Sequence, residues 1–138
     1  LLLGVLRGLI RHGRLAETTI VAAETEGAAS FKLAMEHGPE EALSEIRSIA
    51  ATLGAKQVAR TAYEQSLPAN IVHHIMTDRE AVDGVRLFRE QFGIDVEPSC
   101  GAALSYVYAP GFQAADTMVV VCGGVGWTEE DTRQFLGK

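Results

Sequence analysis

The spacing of apolar residues along the chain predicts a series of amphipathic helices. The opening stretch LLLGVLRGLIRHG places Leu2, Val5, Leu6, Leu9 and Ile10 at helical intervals. Residues at these intervals share one face of a helix, so we expect this segment to be helical and to turn that face toward a core.

The clearest helical signal lies in residues 77–92. Thr77 and Glu80 have the spacing of a capping box, apolar residues recur behind them, and Gly93 follows as a stop signal. Ser99 follows a proline and is well placed to cap a later helix. Further helices are predicted for residues 30–37, 56–67 and 99–108, and from residue 128 onward.

Three apolar runs have the length and composition of β-strands. They are TTIVAAE (18–24), IVHHIM (71–76) and MVVVC (118–122). The third run is continuously apolar, which is typical of a strand covered on both faces in a parallel sheet. Because strands alternate with helices, the pattern predicts an α/β fold with a mainly parallel sheet and right-handed crossovers.

Composition limits the classes of partner. The length of 138 residues and the 47% hydrophobic content suit one globular core. The net charge of −6, without a basic run, argues against nucleic acid and anionic membranes as partners. No membrane span is predicted, because Arg7 and Arg11 interrupt LLLGVLRGLI and a span needs about 20 apolar residues. Two cysteines are too few for a disulfide framework and fit a reducing compartment, the cytoplasm.

The first helical pattern begins without a capping residue. No Ser, Thr, Asp or Asn precedes Leu1, and the initiating Met is absent. We therefore expect the sequence to be the carboxyl-terminal piece of a longer polypeptide.

The stretch VVVCGG is a first candidate site, because ligands in open α/β sheets collect beyond the carboxyl ends of strands. The thiol of Cys122 would lie where the strand ends, and Gly123 and Gly124 would let a flat ligand approach the backbone. The alternative is a buried cysteine that behaves as a small apolar residue before a simple turn. Taken alone, the motif favours that alternative.

Two further segments rich in small residues stand at element ends. In TIVAAETEGAAS, the carboxylate of Glu24 ends a strand and requires a cation, a metal ion or backbone N–H groups. A hard-cation site and an ordinary capping interaction with the next helix both agree with these residues. EPSCGAAL suits either close helix packing or the approach of an anion. Dinucleotide, P-loop, nucleophile-elbow and HExxH motifs are absent from the sequence.

Six blocks of sequence occur in a specific order along the chain: LLLGVLRGL, AAETEGAASF, SIAATLGAK, TDREAV, VEPSCGAALSYVY and VVVCGG. Together they resemble the carboxyl-terminal half of the eukaryotic-type L-serine dehydratases. These are pyridoxal-phosphate enzymes of the tryptophan synthase β fold, related to threonine dehydratases and serine racemases. The resemblance implies a partial three-layer α/β/α domain. Residues 1–138 would form the carboxyl-terminal part of the large cofactor-binding domain.

The resemblance implies three contacts with pyridoxal 5'-phosphate. Cys122 corresponds to the cysteine beside the pyridine nitrogen of the cofactor, and Gly123 follows it on the glycine floor. Leu1 corresponds to the residue just after the phosphate loop, so only its backbone would reach the phosphate. A thiol is a weak and neutral donor, which suits β-elimination and limits transamination.

The resemblance also implies a monovalent-cation site, normally occupied by potassium. Glu24 and Ser30 would supply side-chain oxygens, and Ala28, Leu53 and Ala55 would supply backbone carbonyls. A cation at this place would order the loops around the cofactor.

The activity implied is that of an L-serine (L-threonine) ammonia-lyase, which releases pyruvate or 2-oxobutanoate and ammonia from a small amino acid. The Schiff-base lysine belongs to the missing amino-terminal half, so these residues alone hold no catalytic group and are expected to be inactive. The alternatives are a serine racemase or threonine dehydratase relative, or a non-catalytic truncated paralogue. The family implies a homodimer. Glu26 and Trp127 depart from the family pattern and leave serine less secure as the substrate.

Overall fold

The computed structural model describes residues 1–113, 116–124 and 126–137, which form six α-helices and two strands. The helices are α1 (Leu2–Arg11), α2 (Ser30–His37), α3 (Arg60–Ser66), α4 (Asp78–Phe92), α5 (Pro98–Tyr108) and α6 (Glu129–Leu136). The strands are β1 (Thr19–Thr25) and β2 (Asn70–Met76), and short 3₁₀ turns lie at Leu15–Glu17, Glu26–Ala28 and Ala51–Leu53. None of the helices in these ranges is long and apolar enough to cross a bilayer.

The two strands pair in parallel and present two different faces. Glu24 in β1 lies opposite Ile75 in β2. Because side chains alternate along a strand, Glu24 and His73 share one face, and His74 belongs to the other. On the first face, the ring of Phe31 from α2 lies 5.3 Å from the ring of His73. Helix α2 therefore covers this face at the carboxyl end of the sheet.

Helices α4 and α5 cover the opposite face of the sheet. Met76 forms a buried cluster with Ala81 of α4 and Ala102 of α5. Nε2 of His74 lies 3.0 Å from the hydroxyl of Ser105 in α5. The sheet thus lies between helices on both sides, and the predicted α/β class with a parallel sheet is confirmed in its three-layer form.

Helices α4 and α5 touch backbone to backbone. A Cβ atom placed on Gly101 would lie 2.0 Å from the carbonyl oxygen of Ala81, and one on Gly84 would lie 2.5 Å from the carbonyl oxygen of Gly101. Only glycine allows this approach at either position. The small residues of EPSCGAAL therefore serve helix packing, which was one of the two alternatives for that segment.

The third predicted strand is wrong for this chain. Residues 117–124 are irregular, and among the described residues they pair with no strand. The run is apolar for another reason: Val119 and Val121 pack against the buried cluster of Val85, Val96, Cys100 and Leu104. Met118 is 83% exposed, so the segment is covered on one side only.

Two helix starts also differ from expectation. The helix predicted for residues 56–67 begins only at Arg60 and ends at Ser66. Helix α5 begins at Pro98 with Glu97 as its N-cap, so the expected capping role of Ser99 is wrong. Proline is well suited to the first helical position because it has no N–H to leave unpaired, and the cap therefore lies at Glu97, before the proline, and not at Ser99 after it.

Candidate functional site

The carboxylate of Glu24, at the end of β1, caps helix α2. Its two oxygens accept hydrogen bonds from the backbone N–H groups of Phe31, at 2.7 Å, and Lys32, at 2.9 Å. These donors lie in the first turn of the helix, where no carbonyl is available to them. Glu24 is only 8% exposed. The capping interaction left open by the sequence is therefore present, and it uses one lone pair on each oxygen.

Burial dominates the electrostatics of Glu24. Desolvation raises the pKa of this carboxyl above its ordinary value of 4.5, although the two backbone hydrogen bonds and the charges of His73 and Lys32 oppose the rise. On the same face of the sheet, Nδ1 of His73 is buried and has no hydrogen-bond partner in the described part of the chain. A cation bound to the free lone pairs of Glu24 would favour the ionised form.

The other predicted cation ligands lie in two groups. Ala28 and Ser30 follow Glu24 closely in the chain and are both buried where α2 begins. Leu53 and Ala55 lie in the turn at residues 51–55, where the Leu53 carbonyl accepts the N–H of Ala55 at 2.9 Å. Within the described ranges, no group of three or more His, Cys, Asp and Glu side chains could hold a metal ion.

A chain of partly buried hydrogen bonds joins the second group to the sheet. The hydroxyl of Thr25, which is fully buried, donates to Oγ of Ser48 at 2.7 Å, and Ser48 donates to Oδ1 of Asp78 at 2.5 Å. Backbone N–H groups complete the network: Ile49 donates to Asp78 at 3.1 Å, and Ala50 donates to Ser48 at 3.0 Å. The loop that leads into residues 51–55 is thus tied both to the end of β1 and to the start of α4.

A backbone contact brings the same loop against the turn after β1. The N–H of Arg47 donates to the carbonyl oxygen of Gly27 at 2.9 Å. A Cβ atom at Gly27 would lie 1.8 Å from the carbonyl oxygen of Arg47, so the position requires glycine. Both groups of predicted cation ligands therefore belong to loops that touch each other.

Two of the predicted cofactor residues, Cys122 and Gly123, lie near the carboxyl end of residues 117–124. Cys122 is exposed, which excludes the alternative of a buried apolar cysteine. Gly123 has φ +84°, and a Cβ atom there would meet nothing within 4 Å, so a flat group has open space beside the thiol. Leu1 is 81% exposed. A groove of about 380 Å³ lined by Phe88, Phe92, Leu104, Tyr108, Val119 and Val121 lies along this segment, but Cys122 is not among its lining residues.

The backbone around Cys122 is held by helix α5. The buried thiol of Cys100 donates to the carbonyl oxygen of Gly123 at 3.3 Å. Gly124 has φ +147°, and a Cβ atom there would lie 2.9–3.0 Å from the side-chain carbons of Glu97. The first turn of α5 therefore sets the course of the glycine pair.

Sequence reasoning missed Thr52 and Glu97. The hydroxyl of Thr52 donates to Oε1 of Glu97 at 2.8 Å and also contacts the hydroxyl of Ser99. Glu97 reads as an ordinary surface acid, and only its place directly before PSCG, at the start of a small-residue helix, could have marked it.

The two departures from the family pattern have structural explanations. Glu26 is exposed, so its charge faces solvent. Trp127 packs against the buried cluster beneath residues 119–121, and its Nε1–H donates to the hydroxyl of Thr132 in α6 at 2.8 Å. The indole thus attaches α6 to the domain.

Comparison with known proteins identifies the class. Residues 1–124 match the family model described as pyridoxal-phosphate dependent enzyme, and the chain belongs to this family. The predicted family resemblance is therefore confirmed.

Individual relatives give a narrower comparison. The chain is 39% identical over 135 residues to the Mus musculus protein "Serine dehydratase-like", covering 90% of this chain and 41% of that protein. It is 36% identical over 135 residues to the Homo sapiens "L-serine dehydratase/L-threonine deaminase", again covering 90% and 41%. The chain therefore spans about two fifths of the length of these relatives.

A solved structure shares the fold. A fungal L-serine ammonia-lyase from Rhizomucor miehei superposes with a TM-score of 0.86 at 31% identity, covering 98% of this chain and 45% of that one. The predicted fold class is thus confirmed.

We expect the buried carboxyl of Glu24 to make stability depend on pH. Because folding raises the pKa of Glu24, this carboxyl contributes fully to the free energy of unfolding when the pH is below its ordinary pKa of 4.5. That contribution is lost as the pH rises through the folded-state pKa. Relative to Glu24→Gln, the free energy of unfolding of the wild type should fall with rising pH. The fall is about 1.4 kcal/mol for each unit by which folding raises the pKa.

The measurement is urea unfolding of both proteins from about pH 4 to pH 8, in a buffer whose only cation is tetramethylammonium. Glu26→Gln, which removes an exposed acid from the same turn, is the matched control. A difference between wild type and Glu24→Gln that does not change with pH would contradict the assignment.

Proposed function

We propose that the chain is the carboxyl-terminal part of the large cofactor-binding domain of a pyridoxal-phosphate-dependent L-serine (L-threonine) ammonia-lyase. The reaction is β-elimination, which gives pyruvate or 2-oxobutanoate and ammonia. The observation that carries the proposal is the exposed thiol of Cys122 beside the open space at Gly123, in a chain with the fold of an L-serine ammonia-lyase. The names of the relatives, which include serine and threonine deamination, support this substrate class.

In this proposal Cys122 lies at the pyridine nitrogen of the cofactor. Pyridoxal phosphate supplies an electron sink for the carbanion formed at the α-carbon of the amino acid. The thiol offers that nitrogen a weak, neutral hydrogen bond, and Gly123 leaves the ring room to lie against the backbone. A neutral donor keeps the sink mild, so that loss of the β-hydroxyl competes well with reprotonation.

This chain supplies one further contact in the proposal, and the remaining catalytic groups come from the rest of the protein. The backbone of Leu1 lies at the phosphate, and the lysine that binds the cofactor covalently comes from the amino-terminal half. The intact enzyme is a cytoplasmic homodimer in this proposal.

The cation part of the proposal places potassium beside the carboxylate of Glu24. Among the described residues, two lone pairs of that carboxylate accept no hydrogen bond, and Ser30, which follows Glu24 in the chain at the start of α2, is buried. The carbonyls of Ala28, Leu53 and Ala55 complete the set, as oxygen-rich sites for hard cations require. A cation there offsets the desolvation of Glu24, which the two backbone hydrogen bonds only partly oppose.

The substrate test uses the intact parent protein with pyridoxal phosphate. Incubation with L-serine or L-threonine should release pyruvate or 2-oxobutanoate with an equal amount of ammonia, whereas D-serine should accumulate only slowly or not at all. Keto-acid release is measured, and the amino acids that remain are identified. Release of D-serine as the main product would assign a racemase instead. Turnover by residues 1–138 alone would contradict the proposal.

Removing the thiol should alter the cofactor and leave the fold in place. In the intact protein we expect Cys122→Ala to shift the absorbance maximum of the bound cofactor and to lower kcat by about two- to tenfold, the loss of one neutral hydrogen bond. Cys122→Ser keeps a neutral donor and should retain most of the activity. Unchanged spectrum and kinetics in Cys122→Ala would remove Cys122 from the cofactor site.

Potassium should be needed for full activity. Replacing potassium by tetramethylammonium should lower turnover, because that ion is too large for a carbonyl-lined site. We expect Ser30→Ala to raise the half-saturating potassium concentration about tenfold, equivalent to about 1.4 kcal/mol. Ser44→Ala, at an exposed serine of a neighbouring loop, is the control. Equal rates in the two cations would discard the potassium site.

A further inference from the structure

A continuous set of contacts joins the turn at residues 51–55 to the glycine pair after Cys122. It begins at Thr52, whose hydroxyl donates to the carboxylate of Glu97 at 2.8 Å. These residues are 45 positions apart in the chain, and Thr52 also touches Ser99 in the first turn of α5. The hydroxyl of Thr52 thus links the turn at 51–55 to the start of α5, and Leu53 packs against the buried cluster that includes Ala102 of the same helix.

The second step runs from Glu97 to Gly124. The Cβ, Cγ and Cδ atoms of Glu97 would lie 2.9, 2.9 and 3.0 Å from a Cβ atom at Gly124. The side chain of Glu97 therefore packs directly on the glycine backbone, and its position and that of Gly124 fix each other. One turn along α5, Cys100 holds the Gly123 carbonyl at 3.3 Å.

The other end of the path is equally constrained. Within the turn, the N–H of Leu53 donates to Ala50 and the N–H of Ala55 donates to Leu53, each at 2.9 Å. Thr52 lies between the residues that make these bonds, so the same turn holds its backbone and the carbonyls of Leu53 and Ala55. Those carbonyls are the ligands that the proposed potassium site uses.

We propose that Thr52 and Glu97 are positioning residues that couple potassium binding to the backbone beside the cofactor ring. Potassium on the Leu53 and Ala55 carbonyls orders the turn, the Thr52–Glu97 hydrogen bond carries that order to α5, and Glu97 fixes the path of Gly123 and Gly124. The inference rests on the proposed function and deepens it, since it assigns the route by which the cation acts. Coupling is reciprocal, so the cofactor must tighten potassium binding by the same factor.

The test compares the intact wild type with Thr52→Val, which keeps the shape of threonine and removes its hydroxyl. In cofactor-free wild type, potassium in place of tetramethylammonium should slow hydrogen exchange in a peptide covering residues 119–124. In holoenzyme, the cofactor should lower the half-saturating potassium concentration, read from the midpoint of thermal unfolding, by about fivefold or more. In Thr52→Val, potassium should still raise the midpoint of thermal unfolding. Two effects should be lost, however: potassium should no longer slow hydrogen exchange in residues 119–124, and the cofactor should no longer lower the half-saturating potassium concentration.

Two variants serve as controls. Thr52→Ser retains a hydroxyl and should restore both effects. Thr18→Val removes another hydroxyl, which donates to the carbonyl of Arg14 far from the turn at 51–55 in the chain, and should leave both effects at the wild-type level. Glu97→Ala should abolish both effects, as Thr52→Val does, because it removes the acceptor of the Thr52 hydrogen bond and also the side chain packed on Gly124.

The outcomes separate the inference from the proposal beneath it. If wild type responds to potassium and Thr52→Val responds equally, the coupling route is wrong and the potassium site stands. If wild type shows no response to potassium in either measurement, the potassium site and the coupling route fail together. If the intact protein does not bind pyridoxal phosphate, the proposed function itself is overturned.

Discussion

The hydrogen bonds that run from the buried Thr25 through the half-buried Ser48 and Asp78 hold the loops of the candidate site together. They connect three elements that are distant in sequence: the end of β1, the loop before residues 51–55, and the start of α4. The hydroxyl of Thr25 is fully buried, and leaving it without a partner would destabilise the fold by about 1–3 kcal/mol, so Thr25 depends on this network most strongly. The turn at residues 51–55, which carries two of the predicted cation ligands, follows the loop that this cluster of hydrogen bonds holds.

Around that cluster, glycine and alanine let elements approach at backbone distance. Gly27 admits Arg47, and Gly84 and Gly101 admit each other's helix. Such contacts leave little freedom for side-chain adjustment, because protein interiors are packed at nearly crystalline density. The site is therefore built on rigid supports, whereas Cys122 and Gly123, which face the proposed cofactor, remain open. This division suits a protein that must hold a flat ring in one orientation.

Local sequence rules predicted the local structure well. The capping box of Thr77 and Glu80 and the stop at Gly93 are present as expected, and helix α2 has the predicted bounds. These signals succeed because each concerns residues within one or two turns of one another. The strand at 118–122 failed because pairing needs a neighbouring edge that no local pattern encodes.

The candidate site was likewise predicted only in part. Glu24 and Cys122 stood out at element ends, but their roles came from the family resemblance, and Glu24 also proved to cap α2. Thr52 and Glu97 could not be found, since their contact spans 45 residues and each is an ordinary polar residue in its own segment. The distinction is physical: a spacing rule describes what one element does, and a site of this kind is made where several elements meet.

The parallel pairing of β1 with β2 has a consequence for how the chain folds. Thr19 and Asn70, which lie opposite each other where the strands begin, are 51 residues apart. The loss of chain entropy on closing so long a loop precedes any gain from the sheet, so β pairing is slow compared with formation of the capped helices. Helix α4 carries its own start and stop signals, so we expect it to form early. We expect the strand ends that carry Glu24 and Thr25 to acquire their final surroundings later.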